Sequence, residues 1–244
     1  MVTWSPDSRY IAFNAGDDKL KKAAVTGGPA QVISNWTGAT ATWGVSDAIL
    51  ADPGPDGALW RVPGSGGQPV AATELDVAQK KRLHRYPFFL PDGRHFFYLA
   101  GLGGAAQGGV ACVGSLDSKD SKPSPGITSE AKYADGYVLF IREGALMAQP
   151  FDLKQLEFSG EPFLLSNRSR QKMLAPAQIR LGLDQELLIR VVRAANQEFA
   201  CRRHRPCAFL HQVAAIVRVC EMEQDIPGGL PAGDHPHRRS PPFR

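Results

Sequence analysis

A short motif recurs along this chain at nearly even intervals, and that recurrence constrains the fold more than any other feature. Trp4–Phe13 reads WSPDSRYIAF and Phe89–Leu99 reads FLPDGRHFFYL. Each runs from an aromatic or apolar residue through Pro-Asp-small-Arg into an apolar stretch. Pro6 and Pro91 preset φ for the second position of a turn, and Asp7 and Asp92 can accept bonds from nearby amides. Ser8 and Gly93 take the strained last position, where glycine fits better. The apolar run that follows is then the second strand of a hairpin.

Two weaker copies continue the pattern. Trp43-Gly44-Val45-Ser46-Asp47 precedes Ala48-Ile49-Leu50, and Tyr133-Ala134-Asp135-Gly136 precedes Tyr137–Ile141. The leading aromatics Trp4, Trp43, Phe89 and Tyr133 are thus 39, 46 and 44 residues apart. A third short strand is expected after each hairpin, at Lys19–Val25, Ala58–Val62, Val110–Ser115 and Ala145–Gln149. Gly27-Gly28-Pro29 before Gln31-Val32 parallels Gly66-Gly67-Gln68 before Pro69-Val70, marking a turn and a fourth segment.

Four short strands in a unit of this length make a propeller blade. One blade is too thin to bury both faces, so neighbours must stack. The expected fold is all-β: a partial β-propeller of about four blades, each a four-stranded antiparallel sheet, over residues 1–166. Expected blade limits are 1–38, 39–85, 86–130 and 131–166. The alternative is a β-sandwich with evenly spaced hairpins.

The repeats resemble the PD40 family, the WD40-like propeller repeats of TolB-type proteins, on Trp4–Phe13 and Phe89–Leu99. REGALMAQPFDLKQLEFSGEP, Arg142–Pro162, is similar to the propeller region attached to serine/threonine protein kinases of Acidobacteria, as are FLPDGRHFFYL and VGSLDSK at Val113–Lys119. That resemblance implies a protein-interaction or ligand-sensing propeller, cut from a kinase-linked protein and standing on the extracytoplasmic side in its parent. The kinase Gly-rich loop, strand lysine, His-Arg-Asp loop and Asp-Phe-Gly site are absent from the sequence. The chain is therefore expected not to be an enzyme and to need no cofactor. Two other settings remain open: the propeller of a prolyl-oligopeptidase-like serine peptidase, and a TolB-like periplasmic envelope component.

Other candidate sites have plainer explanations. Gly101–Gly109 is glycine-rich but lacks the Gly-Lys-Ser/Thr of a phosphate loop. His84 or His95 with Ser115 and Asp117 could compose a hydrolase triad, yet no Gly-x-Ser-x-Gly elbow accompanies them. Asp17, Asp18, Asp52 and Asp56 lack the alternating oxygen donors of a calcium loop and read as turn formers. The residues expected to matter structurally are Trp4, Pro6, Asp7, Trp43, Pro91, Asp92, Gly93, Asp135 and Gly136.

Residues 167–244 are a different kind of sequence. They hold 13 basic and 7 acidic side chains, against 15 and 17 in residues 1–166, so the basic excess lies in this tail. Twelve of the 13 basic residues are arginine, and the last stretch, from Ile226, is rich in Pro and Gly. Helices are expected at Asp184–Ala200 and Ala208–Met222, with disorder beyond. The tail is either a real appendage or, as the composition favours, an out-of-frame translation. Cys201, His204, Cys207 and His211 are ligand-type side chains, but their spacing matches no common zinc pattern and Arg202, Arg203 and Arg205 oppose a dication. No metal is therefore assigned, with those four as the single alternative. The near-neutral body gives no reason to expect nucleic acid. No signal peptide follows Met1, and no run approaches the ~18 apolar residues of a membrane span. Unclosed blade edges make self-association the expected partnership.

Overall fold

The computed structural model describes residues 1–35, 38–52, 54, 56–76, 83–101 and 109–167. They form four successive antiparallel sheets. The first holds β1 (Val2–Trp4), β2 (Tyr10–Asn14), β3 (Leu20–Ala24) and β4 (Gln31–Ser34). The second holds β5 (Ala41–Trp43), β6 (Ala48–Ala51), β7 (Trp60–Pro63) and β8 (Val70–Ala71). The third holds β9 (Leu83–Phe89), β10 (His95–Gly101), β11 (Gly109–Ser115) and β12 (Ser121–Ser124). The fourth holds β13 (Ala131–Ala134), β14 (Tyr137–Arg142), β15 (Ala145–Asp152), β16 (Glu157–Phe158) and β17 (Phe163–Asn167).

Within each sheet, strands pair in chain order, as hairpin-linked neighbours do. Between sheets the contacts run along the first strands: β1 meets β5, β5 meets β9, and β9 meets β13. Four thin sheets lined up by their leading strands are propeller blades, and the sandwich alternative is excluded. β9 starts at Leu83, slightly ahead of the expected limit at residue 86.

The fourth blade departs from the others at its outer strand. β16 and β17 both pair with β15, one at Phe151 and Asp152, the other at Ala145–Ala148. The outer strand is thus broken in two at residues 159–162, where Gly160 has φ +67° and Gln149 Nε2 donates to its carbonyl at 3.0 Å. A strand does follow Pro162, as the repeat requires.

The turns form as their residues dictate. Ser8 N donates to Ser5 O at 2.9 Å and Gly93 N to Leu90 O at 3.0 Å, and φ is +57° at Ser8 and +65° at Gly93. Asp7 Oδ1 accepts from Ser5 Oγ at 2.6 Å and Arg9 N at 3.1 Å. Asp92 Oδ1 accepts from Arg94 N at 3.0 Å and His95 N at 2.9 Å. Asp135 and Gly136, both at positive φ, make the two-residue turn that suits the twist of a hairpin.

The core lies between the blades. Ala12, Leu20 and Ile33 of blade one pack against Trp43, Ile49 and Val62 of blade two. Leu50 and Leu59 meet Phe89, Phe96 and Tyr98 of blade three. Leu90, Phe97 and Val113 meet Tyr133, Val138 and Phe140 of blade four. Each large side chain so enclosed contributes about 1.5–3 kcal/mol over exposure.

The expected tail domain, 167–244, its two helices and its disordered end lie almost wholly outside the described residues. No helix among the described residues is long and apolar enough to cross a membrane.

Candidate functional site

Each blade offers one set of turns to each end of the propeller axis. The turn between its first two strands lies beside the one between its last two. Val25 N donates to Arg9 O at 3.0 Å, Gly64 N to Asp47 O at 2.7 Å, and Leu116 N to Arg94 O at 3.0 Å. The Pro-Asp motifs therefore share one face of the molecule.

On that face a cleft of about 310 Å³ opens between blades one and two, lined in part by Asp7, Tyr10, Lys22, Trp43, Val45 and Asp47. Its walls are held by local bonds. Trp43 Nε1 donates to Asp47 Oδ1 and Ser65 N to Asp47 Oδ2, each at 3.2 Å. Lys22 Nζ donates to Gly64 O at 2.8 Å and lies 5.4 Å from the centre of the Tyr10 ring. Trp43 forms a buried wall, while Val45 stands 65% exposed at the rim. Asp7 is held below the usual carboxylate range by the Ser5 hydroxyl and the Arg9 amide, so it is ionised at neutral pH. The cleft joins aromatic surface, an ammonium and a carboxylate, a set that suits a polar ligand or a peptide.

The opposite face carries a more enclosed polar cluster between blades two and three. Asp52 is fully buried at the end of β6. Its carboxylate accepts from Ala39 N at 3.3 Å, Gly54 N at 3.2 Å and the Thr40 hydroxyl. Burial pushes its carboxyl up from the ordinary value, opposed by the Thr40 hydroxyl and by the amides of Tyr86, Ala39 and Gly54. Beside it the Arg85 guanidinium donates twice to Gly54 O at 3.2 Å, and His84 N donates to Gly57 O at 2.9 Å. The His84 ring is buried, 2.8 Å from Thr73 Oγ1 through Nδ1 and tilted against Tyr98 at 4.6 Å. Burial pushes the Tyr98 phenol well above its usual range. Every polar group in this cluster is spent on holding two blades together, which is a structural task.

The composed triad does not assemble. His95 pairs through Nδ1 with Asp92 Oδ2 at 2.5 Å, and Ser115 sits opposite His95 in the β10–β11 register. Ser115 Oγ, however, accepts from Asp117 N at 3.2 Å, Asp117 is bridged to Arg94, and no bond joins Ser115 to His95. The Asp92 carboxyl, nudged up by partial burial, is drawn below its usual range by the His95 ring and the two turn amides.

Asp17 forms an ion pair with Lys21 at 2.6 Å. Asp17 and Asp18 lie in the β2–β3 turn, and Asp52 and Asp56 in the β6–β7 turn of the next blade. Among the described residues no group of three or more His, Cys, Asp or Glu could hold a metal ion. Cys201, His204, Cys207 and His211 lie outside the described residues, as does the interior of the glycine-rich segment, 102–108. Pro6, Asp7, Pro91, Asp92, Gly93, Asp135 and Gly136 all sit in first turns, whereas Trp43 is buried and Trp4 is not. The Asp52 and His84 cluster was not anticipated; its one sequence signal is an acid ending the wholly apolar run Ala48–Ala51.

No family model matches the chain, and no curated protein sequence matches it either. Solved structures similar to it include a putative TolB from Agrobacterium tumefaciens, at 19% identity and TM-score 0.48, covering 64% of this chain and 59% of that one. An oligogalacturonate lyase in complex with manganese is similar at 11% identity and TM-score 0.48, covering 65% and 51%. A luciferin-regenerating enzyme is similar at 12% identity and TM-score 0.49, covering 69% and 60%. The chain spans only about half the length of such structures. Two of these three are named as enzymes, which corrects the expectation that the chain is not one: enzymes and non-enzymes share the propeller, and its presence excludes neither.

Proposed function

We propose that the chain is a binding module: a propeller segment that presents its Pro-Asp face to a protein partner or small ligand. The observation that carries this reading is the cleft between blades one and two, where Val45, Tyr10, Lys22 and Asp7 offer apolar, aromatic and charged surface within one opening. The resemblance of Arg142–Pro162 to kinase-attached propellers places the module, on this reading, in a larger kinase-linked sensor with the propeller on the extracytoplasmic side.

Two experiments test it. DNA flanking the reading frame should encode a kinase domain; an α/β-hydrolase domain there would replace the kinase link with a peptidase. A photo-cross-linking residue at Val45, in the full chain expressed in its native cell, should yield discrete adducts. The same residue at Val70, exposed on the outer strand of blade two, should not. Adducts at both positions, or at neither, would reject the cleft as the binding site.

A further inference from the structure

The first blade has two faces, and only one is covered by a neighbour. Strand register puts Val2, Trp4, Ile11, Phe13, Ala23 and Val32 on the face turned away from blade two. Val2 is 65%, Trp4 53% and Val32 52% exposed, with the other three partly buried. One repeat later the matching residues are enclosed: Trp43 is 9% exposed, and Ile49 and Val62 are fully buried against blade one. The face therefore has the composition of a blade-to-blade interface without a blade upon it. A contiguous apolar surface of this kind marks an interaction site.

Charge and topology narrow the occupant. Lys21 also lies on this face by register, and its ammonium is neutralised by Asp17 at 2.6 Å. Two copies of the face therefore bring no net charge together. The surface that would complement it in head-to-tail order is the far face of blade four. Ala12 of blade one corresponds there to Leu139, which pairs with Ala148, and both are fully buried. Open-ended stacking of blade four onto blade one is closed off on that side.

We infer that this face docks a second copy of the chain, blade one against blade one about a two-fold axis. Such an isologous contact stops at the dimer. The two sheets then meet face to face, at the ~10 Å spacing of packed sheets, with each Trp4 enclosed by the partner. This surface is separate from the Pro-Asp cleft, so either can fail without the other.

Sedimentation velocity on the full chain over a wide concentration range tests the inference. Reversible dimerisation that goes no further is expected. The double substitution W4E/V32E should weaken association by about thirtyfold or more, the loss typical of a central aromatic anchor. V70E, at an exposed site elsewhere, should leave association unchanged. Circular dichroism checks that each variant is folded. In the unsubstituted chain, amide exchange across Val2–Trp4 should slow as concentration rises, which keeps the test independent of any variant. A monomer at all concentrations, growth beyond the dimer, or a dimer indifferent to W4E/V32E with unchanged exchange would overturn it.

Discussion

Trp4 and Trp43 hold the same place in consecutive blades, each ending a leading strand and each paired across it with an isoleucine, Ile11 and Ile49. Trp43 is enclosed by the blade before it; Trp4 has none before it and stands half exposed. The same residue type at the same repeat position thus contributes differently to stability, and the difference is measurable. Trp43→Ala should cost about 3–5 kcal/mol, as loss of a buried aromatic does. Trp4→Ala should cost under about 1 kcal/mol in dilute solution, as a surface change does. Urea unfolding at low protein concentration checks both. Equal costs would mean that the blades do not stack in sequence as described.

Turn chemistry gives a second pair of opposite effects. Ser8 holds φ +57° with a side chain attached, while Gly93 holds φ +65° without one. Ser8→Gly should stabilise by up to about 1 kcal/mol by relieving the left-handed conformation. Gly93→Ala should destabilise by about 1–2 kcal/mol, and its new methyl would sit 2.2 Å from Val45 Cγ2 unless that side chain moves. Thermal melts of the two variants should shift in opposite directions.

The buried Asp52 predicts a pH dependence with a definite sign. Its carboxyl titrates higher in the folded chain than in the unfolded one, so folding favours its protonated form. Its contribution is full below the ordinary carboxylate value and is lost as pH rises through the raised one. The stability of the natural chain relative to Asp52→Asn should therefore grow as pH falls through that window, then level off. Denaturant melts at several pH values between neutrality and the acid limb measure this difference directly. A difference that is flat, or of opposite slope, contradicts the burial of that carboxyl.

Thr73 ties two strands to the next blade through one hydroxyl, which accepts from Leu59 N at 2.9 Å and meets His84 Nδ1 at 2.8 Å. Thr73→Val keeps the shape but leaves a buried amide and a buried ring nitrogen without this partner. A loss of about 1–3 kcal/mol is expected. Thr73→Ser should recover most of it.

The repeat and its hairpins were legible because their signals are local. Pro-Asp-Gly specifies a turn wherever it occurs, and alternating apolar residues specify which face is buried. The four leading aromatics could be paired by spacing alone, and three of them proved to be buried between blades. Less legible was whatever depends on a neighbour. Nothing around Thr40, Asp52, Thr73 or His84 signals that strands from different blades bring them into one buried region. The cleft on the Pro-Asp face was hidden for the same reason, since Lys22 and Trp43 approach only once two sheets stack. The exclusion of an enzyme failed for a different cause: missing kinase motifs speak about one chemistry, while the propeller serves many.

The leading strands touch only in series, β1 to β5 to β9 to β13. A chain so wired has no contact that spans it end to end and so nothing that compels all four modules to melt at once. Its loss of structure should proceed like the opening of a zip, terminal sheets first, with the two middle ones, each clasped on both sides, the last to let go.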